Sequence, residues 1–337
     1  MDSKFKILSI DGGGIKGLYS LYVLDQIEKK HCKKNETIGD YFDLICGTST
    51  GGIIALGIAN KIKIEKLIEI YENNASKIFP KNNFIFNNFM SPFFGIDKYD
   101  NDTIKNIADK YFQDKKLCDL NNLVCIPSYN NSTGYNIVFK YPHKEGNLFR
   151  DKNILLKDVI MSTVSAPYYF QSHKINIKEI NGNFLDGGLW ANNPSLVGID
   201  ESLQFFVGKD KKYKSYDLLS VGNVNYVKNN NITTNSWNIL NFSYLIELIF
   251  SSNSKSIDKY CRTISKFADS EYTRIECTDI NVNYCNEISL DNSNKHILEY
   301  YKQKGIEDGI KYISDNNKEY KYIERFFLKK KSYIIEK

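Results

Sequence analysis

Ser49 lies in Gly47-Thr48-Ser49-Thr50-Gly51, between the apolar runs Tyr41 to Cys46 and Gly52 to Ala59. A serine flanked by glycines, set between a buried strand and a helix, is the sequence form of a nucleophile elbow. Gly47 and Gly51 suit it because a Cβ on either side would clash where strand end and helix start meet. A serine hydroxyl is a poor nucleophile near neutrality, so it needs a nearby base and a positive field for the developing oxyanion.

Two further clusters meet those needs. Asp11-Gly12-Gly13-Gly14-Ile15-Lys16-Gly17 follows the first apolar run, Phe5 to Ile10, and its bare amides at a helix start can face an anion. The three glycines Gly12, Gly13 and Gly14 are the expected oxyanion donors. Far downstream, Asp186-Gly187-Gly188 ends the apolar pair Phe184-Leu185, which makes Asp186 the candidate base. Taken alone, an Asp-Gly-Gly triplet reads as a plain turn; its company with the other two clusters gives it weight.

Two alternatives share these residues. Gly12, Gly14 and Gly17 also fit G-x-G-x-x-G, but the second strand ends in Cys46-Gly47-Thr48-Ser49, and its last acid, Asp43, comes early rather than at the ribose-binding end. No Gly-Lys-Ser/Thr follows the glycines, so a phosphate-binding P-loop is excluded. A serine triad in the order Ser, Asp, His would have to use His296, the only histidine after Asp186. That order usually follows several strands before the elbow, whereas Ser49 comes after the second.

The elements that must position these groups read as α/β. A strand at Phe5 to Ile10, a helix to His31, a strand at Asp40 to Cys46 and a helix to about Asn60 make a βαβα opening, hence a mostly parallel sheet with helices on its faces. Ile64 to Phe79 has amphipathic helical spacing and stops at Pro80. Phe84 to Asp97, rich in Asn and Phe, is a candidate lid, and Asn223 to Ser236 a candidate mobile connection. Strands are expected at Leu123 to Tyr129 and Tyr135 to Tyr141, and a turn at Asn181-Gly182 between two more. Beyond Gly222 the pattern is mostly helical, with one strand-like stretch at Tyr272 to Thr278.

Composition sets the class. The chain has 337 residues, 42% hydrophobic and 25% charged, the profile of a soluble globular protein. Its net charge of +5 fits lysines scattered over solvated faces better than a dedicated anionic surface, and no nucleic-acid partner is expected. Seven cysteines without a CxxC pair suit a reducing compartment. No uncharged apolar stretch reaches the roughly 20 residues of a membrane span, so a soluble, cytoplasmic protein with peripheral membrane contact is expected. The end, Phe326-Phe327-Leu328-Lys329-Lys330-Lys331-Ser332-Tyr333, could rest on an anionic membrane or form a helix with a solvated basic face.

The three clusters, in order and spacing, together with Asp40-Tyr41-Phe42-Asp43, Ser165-Ala166-Pro167-Tyr168-Tyr169-Phe170 and Asn192-Asn193-Pro194, resemble the patatin-like phospholipases. The resemblance covers about residues 5 to 222. It implies a three-layer α/β/α fold, a catalytic core at 1–222, and a helical region at 223–337 packed on or completing that core. It also implies a lipid acyl hydrolase with Ser49 as nucleophile and Asp186 as base, Gly12 to Gly14 as oxyanion donors, no metal or cofactor, and phospholipids or galactolipids as substrates. Asp11, Lys16, Gly17, Gly187 and Gly188 support the motifs. Lys16 stands where the family commonly has arginine, which puts a bidentate anion contact in doubt. A catalytically idle lipid-binding or storage protein of the same fold is the alternative from another class; oligomeric state is left open.

Overall fold

The computed structural model describes residues 4–80, 97–226, 242–315, 317 and 320–335. The expected lid segment before Asp97 and most of the expected Asn223 to Ser236 connection lie outside the described residues. Among the described residues eight strands form one sheet: β1 (Phe5–Ile10), β2 (Leu44–Gly47), β3 (Leu123–Asn130), β4 (Tyr135–Lys140), β5 (His173–Ile177), β6 (Ile180–Asp186), β7 (Tyr216–Val221) and β8 (Glu271–Ile275). The order is β5-β6-β3-β2-β1-β7-β8, with β4 on β3 outside that path. Pairings from β3 across to β8 are parallel, whereas β4, β5 and β6 add antiparallel contacts. The expected mostly parallel α/β architecture is present.

Strand alternation assigns the two faces. In register, Cys46 of β2 is opposite Cys125 of β3, so both point the same way. Cys46 lies under Gly198 of the helix Ser195–Phe205, while the next residue along β3, Ile126, faces Gly52 of the helix Thr50–Ala59. Helices therefore cover both faces, and the central strands β1 and β7 are buried along their whole length.

The feature that builds the site is a replacement on one edge of β3. Strand β2 pairs with β3 only as far as Cys46↔Cys125, and its last residue, Gly47, pairs with Ile10 of β1 alone. Because β4 occupies the other edge, β6 takes the vacated place, pairing Ser128↔Asp186 in antiparallel sense. The end of β6 thus arrives in line with the end of β2, which carries Asp186 to the serine elbow.

Residues beyond 222 complete this sheet. Strand β8 pairs in parallel with β7, the helix Lys295–Tyr312 packs on the helix Gly17–His31, and the short helix Tyr320–Phe327 buries Ile323 and Phe326. The last stretch is fastened by Asp43 Oδ1, which accepts from Ser332 N at 2.9 Å and Tyr333 N at 2.7 Å. Lys6 Nζ donates to Phe326 O at 2.9 Å. Of the two readings of this end, the helix with a basic face is corrected in one respect: the helix ends at Phe327, so the lysine run follows it, while Phe326 lies in the core and Leu328 is exposed.

The turn expected at Asn181-Gly182 is also displaced. Chain reversal occurs at residues 178–179, and Asn181 and Gly182 sit within β6 opposite Asn176 and Ile175. Gly182 has φ 146°, and a Cβ there would come within 2.4 Å of Asn130 Oδ1, so the glycine serves a close approach to β3 rather than a turn.

Candidate active site

Ser49 immediately precedes the helix Thr50–Ala59, two residues after the end of β2, with φ 54° and ψ −124°. That backbone region is unfavourable for a residue with a Cβ and is held only when the surroundings over-determine it. Here they do. Ser49 N donates to Thr163 Oγ1 at 2.9 Å, and Thr163 Oγ1 in turn donates to Pro127 O at 2.7 Å, so helix Leu156–Val164 and β3 both hold the elbow. Gly51 allows the helix to start against β1: a Cβ there would lie 2.3 Å from Ile10 O.

Asp186 ends β6 beside this hydroxyl, and its side chain is fully buried. Oδ1 accepts from Gly188 N at 2.7 Å. Oδ2 is buried with no protein donor in hydrogen-bonding geometry, yet the Ser49 hydroxyl is near enough to favour the charged carboxylate. The two groups are thus neighbours without an aligned hydrogen bond, the loose arrangement common at sites without substrate. Burial is the largest influence on the carboxyl and pushes its pKa up from 3.8 to about 7, with Gly188 N–H and Ser49 opposing. A carboxylate with that pKa can accept a proton near neutrality far better than an ordinary aspartate.

The glycine turn lies against the elbow, but its three amides differ. Gly12 N donates to Asn192 O at 2.9 Å, so this amide is already paired and the expectation that it faces an oxyanion is corrected. For Gly13 and Gly14 no acceptor pairs with the amide among the described residues. Gly14 has φ 57°, and a Cβ there would come within 2.1 Å of Leu290 O, so only glycine fits. Its carbonyl accepts from Thr50 Oγ1 at 2.9 Å, tying the turn to the first residue of the elbow helix.

Ser49, Asp186 and Gly14 line one cleft, whose other walls are mostly apolar, including Ile53, Phe79 and Phe170. No histidine lines it. His296 is half-exposed and pairs with Glu287, which leaves the Ser-Asp-His alternative without its base at this site.

A family model of patatin-like phospholipases matches residues 8–197, more than half of the chain. The chain belongs to the patatin-like phospholipase family. Among curated relatives it is 34% identical over 227 residues to the cGAMP-activated phospholipase of Escherichia coli (strain TW11681), covering 66% of this chain and 62% of that protein. The Vibrio cholerae serotype O1 protein of the same name is 34% identical over 239 residues, covering 66% and 65%. Patatin-like protein 2 of Arabidopsis thaliana is 29% identical over 307 residues, covering 80% and 75%. The match spans less than two thirds of the length of the two bacterial relatives.

Several residues of this patatin-like site were missed by sequence reasoning. Arg274, on β8, grips Asp11 through both guanidinium nitrogens and also donates to Ser220 Oγ at 2.7 Å. Asn223 Nδ2 donates to Gly12 O at 2.6 Å, holding the glycine turn from the end of β7. Thr163 and Asn192 are the other two. Asn192 stood inside the Asn192-Asn193-Pro194 motif and Asn223 at the start of the expected mobile connection; nothing marked Arg274 or Thr163. Lys16 is buried and does not line the cleft; burial pushes its pKa down, opposed by the charge of Glu247.

Among the described residues no helix is long and apolar enough to cross a membrane, and no group of three or more His, Cys, Asp or Glu side chains is placed to share a metal ion.

Proposed function

We propose that the chain hydrolyses fatty-acyl esters of membrane glycerolipids, phospholipids or galactolipids, through Ser49 and Asp186. The carrying observation is a serine in a strained elbow beside a buried carboxyl with pKa near 7, both on one apolar cleft next to two glycine amides that have no acceptor among the described residues.

In the acylation step Asp186 Oδ2 takes the Ser49 proton as Oγ attacks the ester carbonyl carbon. The carbonyl oxygen becomes an oxyanion facing the amides of Gly13 and Gly14, which need no reorganisation to receive it. Collapse of the tetrahedral intermediate breaks the acyl C–O bond, and the proton on Asp186 passes to the leaving glycerol oxygen. A water then attacks the acyl-serine with Asp186 again accepting the proton, and fatty acid leaves as Ser49 Oγ is reprotonated. Each proton taken by the carboxylate is returned, so the dyad is unchanged after one turnover. These groups supply nucleophile, base and oxyanion donors, and no step calls for a metal or cofactor.

Release of fatty acid from mixed phospholipid and galactolipid vesicles tests the reading, with wild type, Ser49→Ala, Asp186→Asn and His296→Ala compared. Because relatives bear the name cGAMP-activated phospholipase, each assay is run with and without cGAMP. Activity in wild type and His296→Ala, lost in the other two, is expected. Inactivity of all four with retained lipid binding would favour the idle binding protein. Full activity of Asp186→Asn would overturn the dyad.

A further inference from the structure

Three tyrosine rings share one ammonium beside the catalytic cleft. Lys98 Nζ lies 5.4 Å from the ring centroid of Tyr99, 5.7 Å from that of Tyr168 and 5.6 Å from that of Tyr169. The Tyr99 and Tyr169 rings are within 16° of parallel and Tyr168 stands at 80° to Tyr169, so the rings form the walls of a cage. Asp291 supplies its anion: Oδ2 accepts from Lys98 Nζ at 2.6 Å and from the Tyr99 hydroxyl at 2.8 Å. Tyr169 belongs to two places at once, because it also lines the cleft with Ser49 and Asp186; so does Leu290, the residue before Asp291.

Forming the cage strains the backbone. Tyr168 has φ 76°, a left-handed conformation that is a genuine outlier for an aromatic residue. Lys98 N donates to Tyr168 O at 2.9 Å and Tyr99 N to Tyr169 O at 2.9 Å, which hold the two segments together. Such strain persists only where the surroundings impose it, and its product here is the third ring over the ammonium.

Lysine fits this cage poorly. Its ammonium carries three N–H donors, yet among the described residues Asp291 Oδ2 is its only hydrogen-bond acceptor. Ring faces attract the charge without accepting the remaining N–H groups as a carbonyl would. A quaternary ammonium has no N–H to satisfy and turns methyl groups to the rings, which makes it the cation that aromatic walls select.

We infer that the cage takes the trimethylammonium of a choline headgroup in place of Lys98, whose side chain fills it here as a tethered stand-in. The inference rests on the hydrolytic reading above and names the headgroup. A lipid with its acyl carbonyl at Ser49 sends its cationic end past Tyr169 to Asp291. A headgroup that is only anionic meets the Asp291 carboxylate and is disfavoured.

Two measurements on the full chain test it. Saturation-transfer NMR with tetramethylammonium reads the cage without turnover. Transfer to the methyl protons is expected in wild type, stronger in Lys98→Met, where Asp291 has lost its own cation, and absent in Asp291→Asn combined with Tyr168→Gly. Glycine accepts φ 76° without strain, so that substitution removes the ring and suits the backbone. Hydrolysis of phosphatidylcholine and phosphatidylglycerol vesicles with identical acyl chains then asks whether a lipid reaches the cage. The ratio of kcat/KM for the two should rise about tenfold in Lys98→Met and fall about tenfold in the double variant, the scale of a desolvated cation–π contact. No transfer to tetramethylammonium in wild type or in Lys98→Met would overturn the inference. Transfer with a lipid ratio that no variant moves would give the cage to a soluble quaternary ammonium and overturn the headgroup assignment. If wild type hydrolyses neither lipid, the hydrolytic reading fails by itself and the NMR comparison is repeated with glycerophosphocholine. Transfer to that ligand, lost in the double variant, still supports the headgroup site, and no transfer overturns it.

Discussion

Arg274 holds both carboxylate oxygens of Asp11, Nη2 to Oδ2 at 2.6 Å and Nη1 to Oδ1 at 3.1 Å, with both side chains almost wholly buried. The pair joins the last strand of the sheet to the first residue of the glycine turn. A bidentate guanidinium fixes orientation as well as charge, so the turn that carries the Gly13 and Gly14 amides is oriented from residues beyond 222. Removing one partner leaves a buried charge alone. Arg274→Met should cost about 3–5 kcal/mol of stability, and Asp11→Asn combined with Arg274→Met should recover part of it. Urea denaturation of the single and double variants checks this, and equal losses in both would remove the pair from the account.

The pH dependence follows from Asp186. With its carboxyl raised from 3.8 to about 7, the base is protonated and idle in acid, so kcat/KM should climb tenfold per pH unit below about 7 and level off above it. Stability moves the other way. The folded state binds this proton more tightly than the unfolded chain, so the contribution is fully present below about pH 3.8 and is lost as pH rises to about 7. Asp186→Asn should abolish the activity profile and gain stability relative to wild type between pH 4 and 8. Thermal melts across that range, beside the rate profile, decide both.

Backbone strain at Ser49 gives a test independent of lipid. At φ 54° and ψ −124° the serine pays of order 1–3 kcal/mol that a glycine would not. Ser49→Gly should therefore raise the unfolding midpoint, whereas Ser49→Ala, which keeps its Cβ, should leave the midpoint nearly unchanged; both should be inactive. Equal midpoints for the two would mean the elbow is relaxed.

How far the residues foretold this site depends on what kind of contact each makes. The elbow, the glycine turn and the Asp186 triplet were legible because each is a local run whose residue types are dictated by a tight bend. Burial of the helices and strands showed in apolar periodicity, which is why β1, its following helix and the hairpin at β3 and β4 stand close to their expected bounds, whereas the strand expected from Asp40 starts only at Leu44 because Ile38–Asp40 is a 3-10 turn. Arg274 carries no such local signal, since a lone arginine in a strand gains meaning only when Asp11 is found beside it. Gly182 misled for the same reason: a glycine permits a turn, but here it makes room for Asn130 on the neighbouring strand. The Gly12 amide looked free until its pairing with Asn192 O fixed otherwise.

Asn223 offers a way to loosen the glycine turn alone. Its Nδ2 donates to Gly12 O at 2.6 Å, and both residues are buried. Asn223→Ala strands that carbonyl, at about 1–3 kcal/mol of stability. If the turn presents amides to the transition state, kcat should fall while KM changes little. Steady-state kinetics on a short-chain ester make the comparison; a rise in KM alone would assign Asn223 to substrate binding instead.

The dyad itself is reached most directly by fluorophosphonate labelling followed by peptide mass analysis, because the reagent reports an activated serine without requiring the right lipid. The account predicts one labelled residue, Ser49, in wild type and in His296→Ala, and a labelling rate reduced on the order of 10²–10⁴-fold in Asp186→Asn. Labelling of Asp186→Asn at the wild-type rate, or of a serine other than Ser49, would contradict it.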